Sequence, residues 1–491
     1  METEKPTRLY FVALLYLAFP LFVFLVGWCA WFVALPVIGF VLYLLANACK
    51  QIGLRSISEK AQVVPVVITG IFSIIWVATT GVWNLGFGRT QDWDVMRNDL
   101  LSTLTEHSWP VTHSFEGSSA IWSMRHYLGF YLPGPLAGKV AGDNLSVALT
   151  ATGVWMFFGV WITLLMLLKL FGAYGFRKYL SLSLFIAFSG LDVIGSRIQG
   201  ALSLRPSNLI HGGHIEWWAE RYQFSSNTTL LHWVPQHALP SWIGALLVIH
   251  IVRSRQNLHL LPVIPLFAML WSPFAAVGIT LLALLLLISA GDVSEFFARI
   301  RKLPLFIFSL LAIGFTLLLY LQSGASGIPH SLLLAHDSFT HNIKMLIEFI
   351  SLEFGIVAGL TGILLRHKIR ENLIISFGLI LILMIVVGWY NDFAMRVSPA
   401  LLVVILVNAC EAIFTTPKRG SHRLVQMALV GVLTLGAITP LFEFVTRYQT
   451  PFTSLQSPCI DTGCGSDLTS SRLRNYNWTD QGVIFLRKAG T

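Results

Sequence analysis

From end to end, the chain alternates long apolar runs with short polar breaks. A helix needs about 20 mostly apolar residues to cross the hydrocarbon of a bilayer. Runs of roughly that kind fall at about 9–28, 29–48, 63–84, 147–171, 179–196, 239–253, 258–272, 273–290, 304–322, 345–365, 372–390, 397–414 and 424–446. The pattern predicts an all-α polytopic membrane protein with about 13 transmembrane helices. Residues 258–290 are split at Trp271-Ser272-Pro273, because proline ends or kinks a helix and the flanking basic loops require an even number of crossings. Gly129, Pro133, Gly134 and Pro135 interrupt 117–142, which is expected to be a helix lying along or dipping into the membrane surface. No internal repeat and no low-complexity segment is present.

Composition agrees with the pattern. Of 491 residues, 55% are hydrophobic and 12% charged, where a soluble protein carries about a quarter charged. The net charge of +9 does not point to nucleic acid, since the basic residues cluster in short loops between apolar runs. Lys5/Arg8, Lys50/Arg55/Lys60, Arg177/Lys178, Arg253/Arg255, Arg299/Arg301/Lys302, Arg366/Lys368/Arg370 and Lys418/Arg419/Arg423 fall at every second loop. The positive-inside rule assigns those loops, and the N-terminus with them, to the cytoplasm. The tail 447–491 is then extracytoplasmic, beyond a membrane domain over 1–446. The first apolar run continues to Ala48, too long for a cleavable signal. Cys459 and Cys464 sit in that tail and are the candidate disulfide pair, a bond suited to an oxidising compartment. Cysteine usage and compact loops suggest a bacterial inner membrane, with an ER membrane and a lumenal site as the alternative.

Chemistry-bearing residues collect in the outer loops, about 85–146, 197–238, 323–344 and 390–397. In the first, Asp92 and Asp94 lie close behind the end of a span. Two carboxylates at this spacing can share a proton, chelate a hard divalent cation, or divide into a base and a positioning group. They also suit the start of a helix, with Asp94 capping a segment that runs to His107. Leu100, Leu101 and Leu104 give that segment one greasy side. In the second loop, Arg205, Trp217, Trp218, Arg221, His232, Gln236 and His237 offer aromatic faces and polar groups. Trp and Tyr also gather at membrane interfaces whatever their role. His211, His214, His232 and His237 show no compelling metal-ligand spacing, and no metal site is assigned. Asp392 and Arg396 stand four apart at a helix mouth, as an ion pair would. Asp192, Glu348 and Glu353 fall within or near the ends of predicted spans, where ionisable groups are costly.

The order of Asp92-Trp93-Asp94, an amphipathic helix, the segment Arg125-His126-Tyr127 through Gly142, and then a span from Ser146 resembles the GT-C superfamily of membrane glycosyltransferases. The resemblance covers about residues 88–175 in detail and the remainder only as a helix count. Two departures are visible. The acidic pair follows the third predicted span rather than the first, and Arg125-His126 stands where the family has a His-Pro pair. The resemblance implies an inverting enzyme that moves a sugar from a polyprenyl-phosphate donor to a lipid, glycan or protein acceptor outside the cytoplasm. It implies Asp92 or Asp94 as the base. Arg97, Arg125, Arg197, Arg205, Arg221 and Arg396 are then candidates to stabilise the leaving phosphate. A polymerase or ligase of lipid-linked polysaccharide, rich in outer Arg and His, is a second expectation. A transporter or flippase is a third, disfavoured by the lack of repeats.

Overall fold

The computed structural model describes residues 8–52, 63–83, 97–114, 121–200, 215–321, 330–332, 339–387, 392–415, 420–448 and 477–480. The first helices are α1 (Arg8–Trp28), α2 (Trp31–Ile52), α3 (Val63–Ala78), α4 (Asn98–Glu106), α5 (Pro133–Val140) and α6 (Leu145–Leu170). They are followed by α7 (Leu180–Ile186), α8 (Asp192–Ile198), α9 (Asn227–Trp233), α10 (Pro235–Ser254), α11 (Val263–Ala268), α12 (Pro273–Ala290) and α13 (Val293–Ile300). The remainder are α14 (Pro304–Leu321), α15 (Phe339–Ile350), α16 (Ile356–Leu364), α17 (Ile369–Leu383), α18 (Asp392–Val397), α19 (Pro399–Phe414), α20 (Gly420–Gly436) and α21 (Ile438–Tyr448). A π-helical turn, Ser351–Gly355, joins α15 to α16.

Eight helices among the described residues are long and apolar enough to cross a membrane, fewer than the thirteen expected. Their outward sides are greasy: Leu311 and Phe315 of α14 remain 65% and 63% exposed, as suits side chains facing lipid. The other five predicted spans are short or broken. Val63–Ala78, Leu258–Ala268 and Pro399–Phe414 are apolar but shorter. The run 372–390 stops as a helix at Leu383, because β4 (Ile385–Val387) pairs antiparallel with β3 (His330–Leu332). The run 179–196 breaks between α7 and α8. There Gly190 lies so close to Glu353 that an added Cβ would fall 2.1 Å from its Oε2. The freed backbone is satisfied by other segments: Leu191 N donates to Leu352 O, and Phe188 O accepts from Asn227 N. Hydropathy does not register such breaks, because neighbouring protein, not lipid, supplies the missing partners.

The segment 117–142 is also corrected. It is not one helix: Ile121–Arg125 form β2, a turn follows, and only Pro133–Val140 are helical. β2 lies between β1 (Thr112–Ser114) and β5 (Asn477–Asp480), so a piece of the C-terminal tail is strapped onto the first large loop. The cysteines Cys459 and Cys464 lie outside the described residues. Leu100, Leu101 and Leu104 of α4 are buried where it packs against α5 and α6, so this helix is a packed element rather than one resting on lipid.

Charge separates the two ends of the bundle. At one end Arg253 meets Glu371, Lys368 meets Glu411, Arg255 meets Asp292, and Arg177 donates to Phe414 O. Of the loops predicted to be cytoplasmic, those around Arg177, Arg253 and Lys368 therefore share one end. Helices α10, α12 and α19 reach it with their C-termini, and their N-termini lie at the opposite end.

Candidate functional site

The opposite end is built around a break in the helices. Ser272 caps α12 by accepting from Ala275 N at 3.0 Å, with Pro273 in the first turn. Its hydroxyl also lies 2.6 Å from His237 Nδ1, in the first turn of α10. We assign the serine proton to that bond, which places the ring proton of the neutral imidazole on Nε2. His237 is fully buried, and its Nε2 has no hydrogen-bond partner among the described residues. A buried donor left unmet costs about 1–3 kcal/mol, a demand that a bound acceptor would satisfy.

The first large loop reaches the same place. Gly129 N donates to Leu270 O, and a Cβ on Gly129 would come within 2.6 Å of the Trp271 backbone. Only glycine permits that approach. It brings His126 and Tyr127 over the break: their rings are 3.9 Å apart, and Tyr127 lies 5.2 Å from His237. Tyr320, at the end of α14, fixes the turn by donating to His126 O and accepting from His126 N. Arg97, buried before α4, donates from Nε to Tyr131 Oη at 3.3 Å.

Arg396 arrives from α18. Its guanidinium bonds Asp392 at 2.7 Å, the expected ion pair, and lies over the Phe274 ring at 5.6 Å. Its buried Nε has no partner. The approach of α18 depends on Gly278 of α12, where a Cβ would sit 2.3 Å from Val397 O. Burial pushes the His126 imidazole down to about 3, and the Arg396 charge acts in the same direction. His126 is therefore a neutral ring at physiological pH. The arrangement presents fixed N–H donors and positive charge, as an anion would require.

No family model, curated protein or solved structure matches the chain.

The structure thus gathers Arg97, His126, Tyr127, His237, Asp392 and Arg396 from the sequence candidates. Arg125 lies at the end of β2, one residue before His126. Gln236 is buried beside His237 on α10, with no partner for its Oε1. Asp92, Asp94 and Arg205 lie outside the described residues, as do His211 and His214. Sequence reasoning missed Ser272, Phe274, Tyr131 and Tyr320. Ser272-Pro273 carried a helix-start signal, but nothing in it told which side chain the serine would meet.

The remaining candidates belong to a different cluster. Trp218 donates from Nε1 to Glu353 Oε1, while Trp217 is half exposed. His232 shares a 3.1 Å bond with Thr79 Oγ1 and meets the edge of Phe444. Arg197 is exposed on α8, and Arg221 is half-buried close to Trp218 in sequence. At the heart of this cluster, the Asp192 and Glu353 carboxyls lie close together. Ser189 and Thr439 donate to Asp192 Oδ2. Glu216 accepts from Ser226 N and Thr229 Oγ1. Burial lifts Glu216 to about 8, and the nearby Asp192 carboxyl adds to the rise. Glu443, also buried, accepts from Trp233 Nε1 and had no sequence signal beyond its place in an apolar run. No group of three or more His, Cys, Asp or Glu among the described residues is arranged to hold a metal ion.

Proposed function

We propose that the protein is a membrane glycosyltransferase of the GT-C kind, taking a sugar from a polyprenyl-phosphate donor. The observation that carries this reading is the convergence of Arg97, His126, His237 and Arg396, with buried N–H groups on His237 and Arg396 that have no acceptor. Such a set fits a phosphate better than a sugar hydroxyl, because it offers donors and positive charge together. Positive-inside assignment puts this end outside the cytoplasm. An apolar groove of about 650 Å³, lined by Phe19, Pro133, Val154, Trp155 and Phe158, runs nearby. Trp155 stacks on Trp271, the residue before Ser272, so a prenyl chain in this groove would lie close to the anion site.

In this reading an acceptor hydroxyl attacks the anomeric carbon and the carbon–oxygen bond to phosphate breaks. Its electron pair leaves with polyprenyl phosphate, held by Arg396, Arg97 and His237. The hydroxyl proton passes to Asp92 or Asp94, whose segment leads directly into Arg97. The acceptor is a lipid, glycan or protein on the extracytoplasmic side. A positioned base contributes about 10²–10⁴-fold, so Asp92→Asn or Asp94→Asn should abolish the glycan product and accumulate the donor, with protein abundance unchanged.

One observation favours a second reading. The gathered groups are Arg and His, some from a late loop, which also suits a lipid-linked polysaccharide ligase. Both aspartate variants retaining wild-type product, while His237→Ala loses it, would select the ligase.

A further inference from the structure

At the basic end, away from the site above, a groove of about 530 Å³ opens between α16 and α17. Its floor is made of small residues, Gly355, Ala358, Gly359 and Gly362. A Cβ on Gly359 would meet nothing within 4 Å, so no other part of the described chain fills this space. The walls are apolar, with Phe354 and Ile350 on one side and Leu373 and Ile380 on the other.

Two donors stand within the groove's lining. Arg366 is exposed and, unlike Lys368 and Arg253, has no acidic partner among the described residues. Asn372 is 3% exposed; its Oδ1 accepts from Asn408 Nδ2 at 2.8 Å, and its Nδ2 has no acceptor. The neighbouring Arg370 adds positive charge, while the nearby Glu371 and Glu411 are already committed to Arg253 and Lys368. An apolar volume topped by an unpaired guanidinium and a buried amide matches a molecule with a greasy body and an anionic head. A packed helix would fit the small-residue floor, but it would bury the Asn372 amide still unsatisfied.

We propose that this groove binds one anionic glycerophospholipid from the leaflet on the basic side. Arg366 pairs with the phosphate, Asn372 Nδ2 donates to an ester carbonyl, and the acyl chains lie over Gly355–Gly362. Basic pockets between helices on the cytoplasmic side suit such lipids, and the volume is that of an ordinary small-molecule site.

The test is native mass spectrometry of the full chain in detergent, titrated with phosphatidylglycerol and, separately, phosphatidylcholine. The wild type should retain one phosphatidylglycerol with at least tenfold preference over phosphatidylcholine. Arg366→Ala should reduce that preference to twofold or less. Gly359→Leu, which fills the open space, should remove the bound lipid of either kind. Arg366 is exposed and outside the packing, so its variant keeps the test informative if Gly359→Leu does not fold. Equal binding of the two lipids, or unchanged phosphatidylglycerol retention in both variants, would overturn the proposal. So would a wild-type mass of two chains that Gly359→Leu returns to one, since a second copy would then occupy the groove.

Discussion

The two ends of the bundle handle buried charge in opposite ways. At the basic end, charge is closed on itself. Glu371 and Glu411 take Arg253 and Lys368, while Asn408 donates to Glu371 and Asn372 and accepts from Arg253 and Lys368. At the other end Arg396 shares Asp392, yet its Nε and the His237 Nε2 are left without acceptors. The first pattern locks helices α10, α17 and α19 together. The second groups fixed N–H donors with positive charge, an arrangement that suits an anion.

That contrast breaks most visibly at His237. His237→Ala should lower transfer activity by about 10²–10³-fold, the loss typical of one fixed donor to a developing charge. The fall in thermal stability from losing the ring and its Ser272 bond should be much smaller than the activity loss, because an unmet buried donor leaves as well. An activity loss no larger than the loss of folded protein would return His237 to the core. The mirror experiment is Glu411→Gln. Removing one partner of a buried ion pair costs about 3–5 kcal/mol, so unfolding should shift down sharply while activity per folded molecule is retained.

Gly129→Ala sharpens the comparison from inside the outer site. The added methyl would collide with the Trp271 backbone, and overpacking costs about 1–3 kcal/mol. Because Gly129 sets His126 and Tyr127 over Ser272, the activity loss should exceed that expected from stability. The carboxyl cluster offers a contrast in pH dependence. Glu216 keeps its proton up to about 8 in the folded protein, while an unfolded glutamate loses it near 4.3. Its contribution is therefore complete below the unfolded value and is lost as pH rises toward 8. The slope is at most about 1.4 kcal/mol per pH unit. Denaturation of Glu216→Gln between pH 5 and 8 should show that much less pH dependence. Identical profiles would mean that the group is ionised in both states.

Much of this was legible in the residue order, for identifiable reasons. Basic clusters at alternate loops announce which helix ends meet, and Arg253, Arg177 and Lys368 do meet at one end. The Asp392–Arg396 pair follows from helical spacing alone. The count of spans was overestimated because hydropathy treats Ser189-Gly190 and 385–387 as more helix, whereas Glu353 and β3 interrupt them. Asp192 and Glu353 each stood out as ionisable residues in or near spans, but their pairing depends on which helices are neighbours. The same is true of Ser272 and His237. The second outer loop reads as a binding surface for its aromatic rings and polar groups, with the interfacial belt as the alternative. Its Trp218 instead hydrogen-bonds Glu353, on a segment far along the chain.

The β2–β5 pairing bears on the order in which the molecule can be completed. Chains are made from the N-terminus, at about 5–20 residues per second, so β2 exists long before the residues that will flank it on its second side. Through nearly all of synthesis that side is an open strand edge, a template for mispairing. His126 follows directly from β2, so the turn that carries it gains its full support only after residues 477–480 have docked. A chain stopped after α21 would lack the last strand holding its candidate site in register.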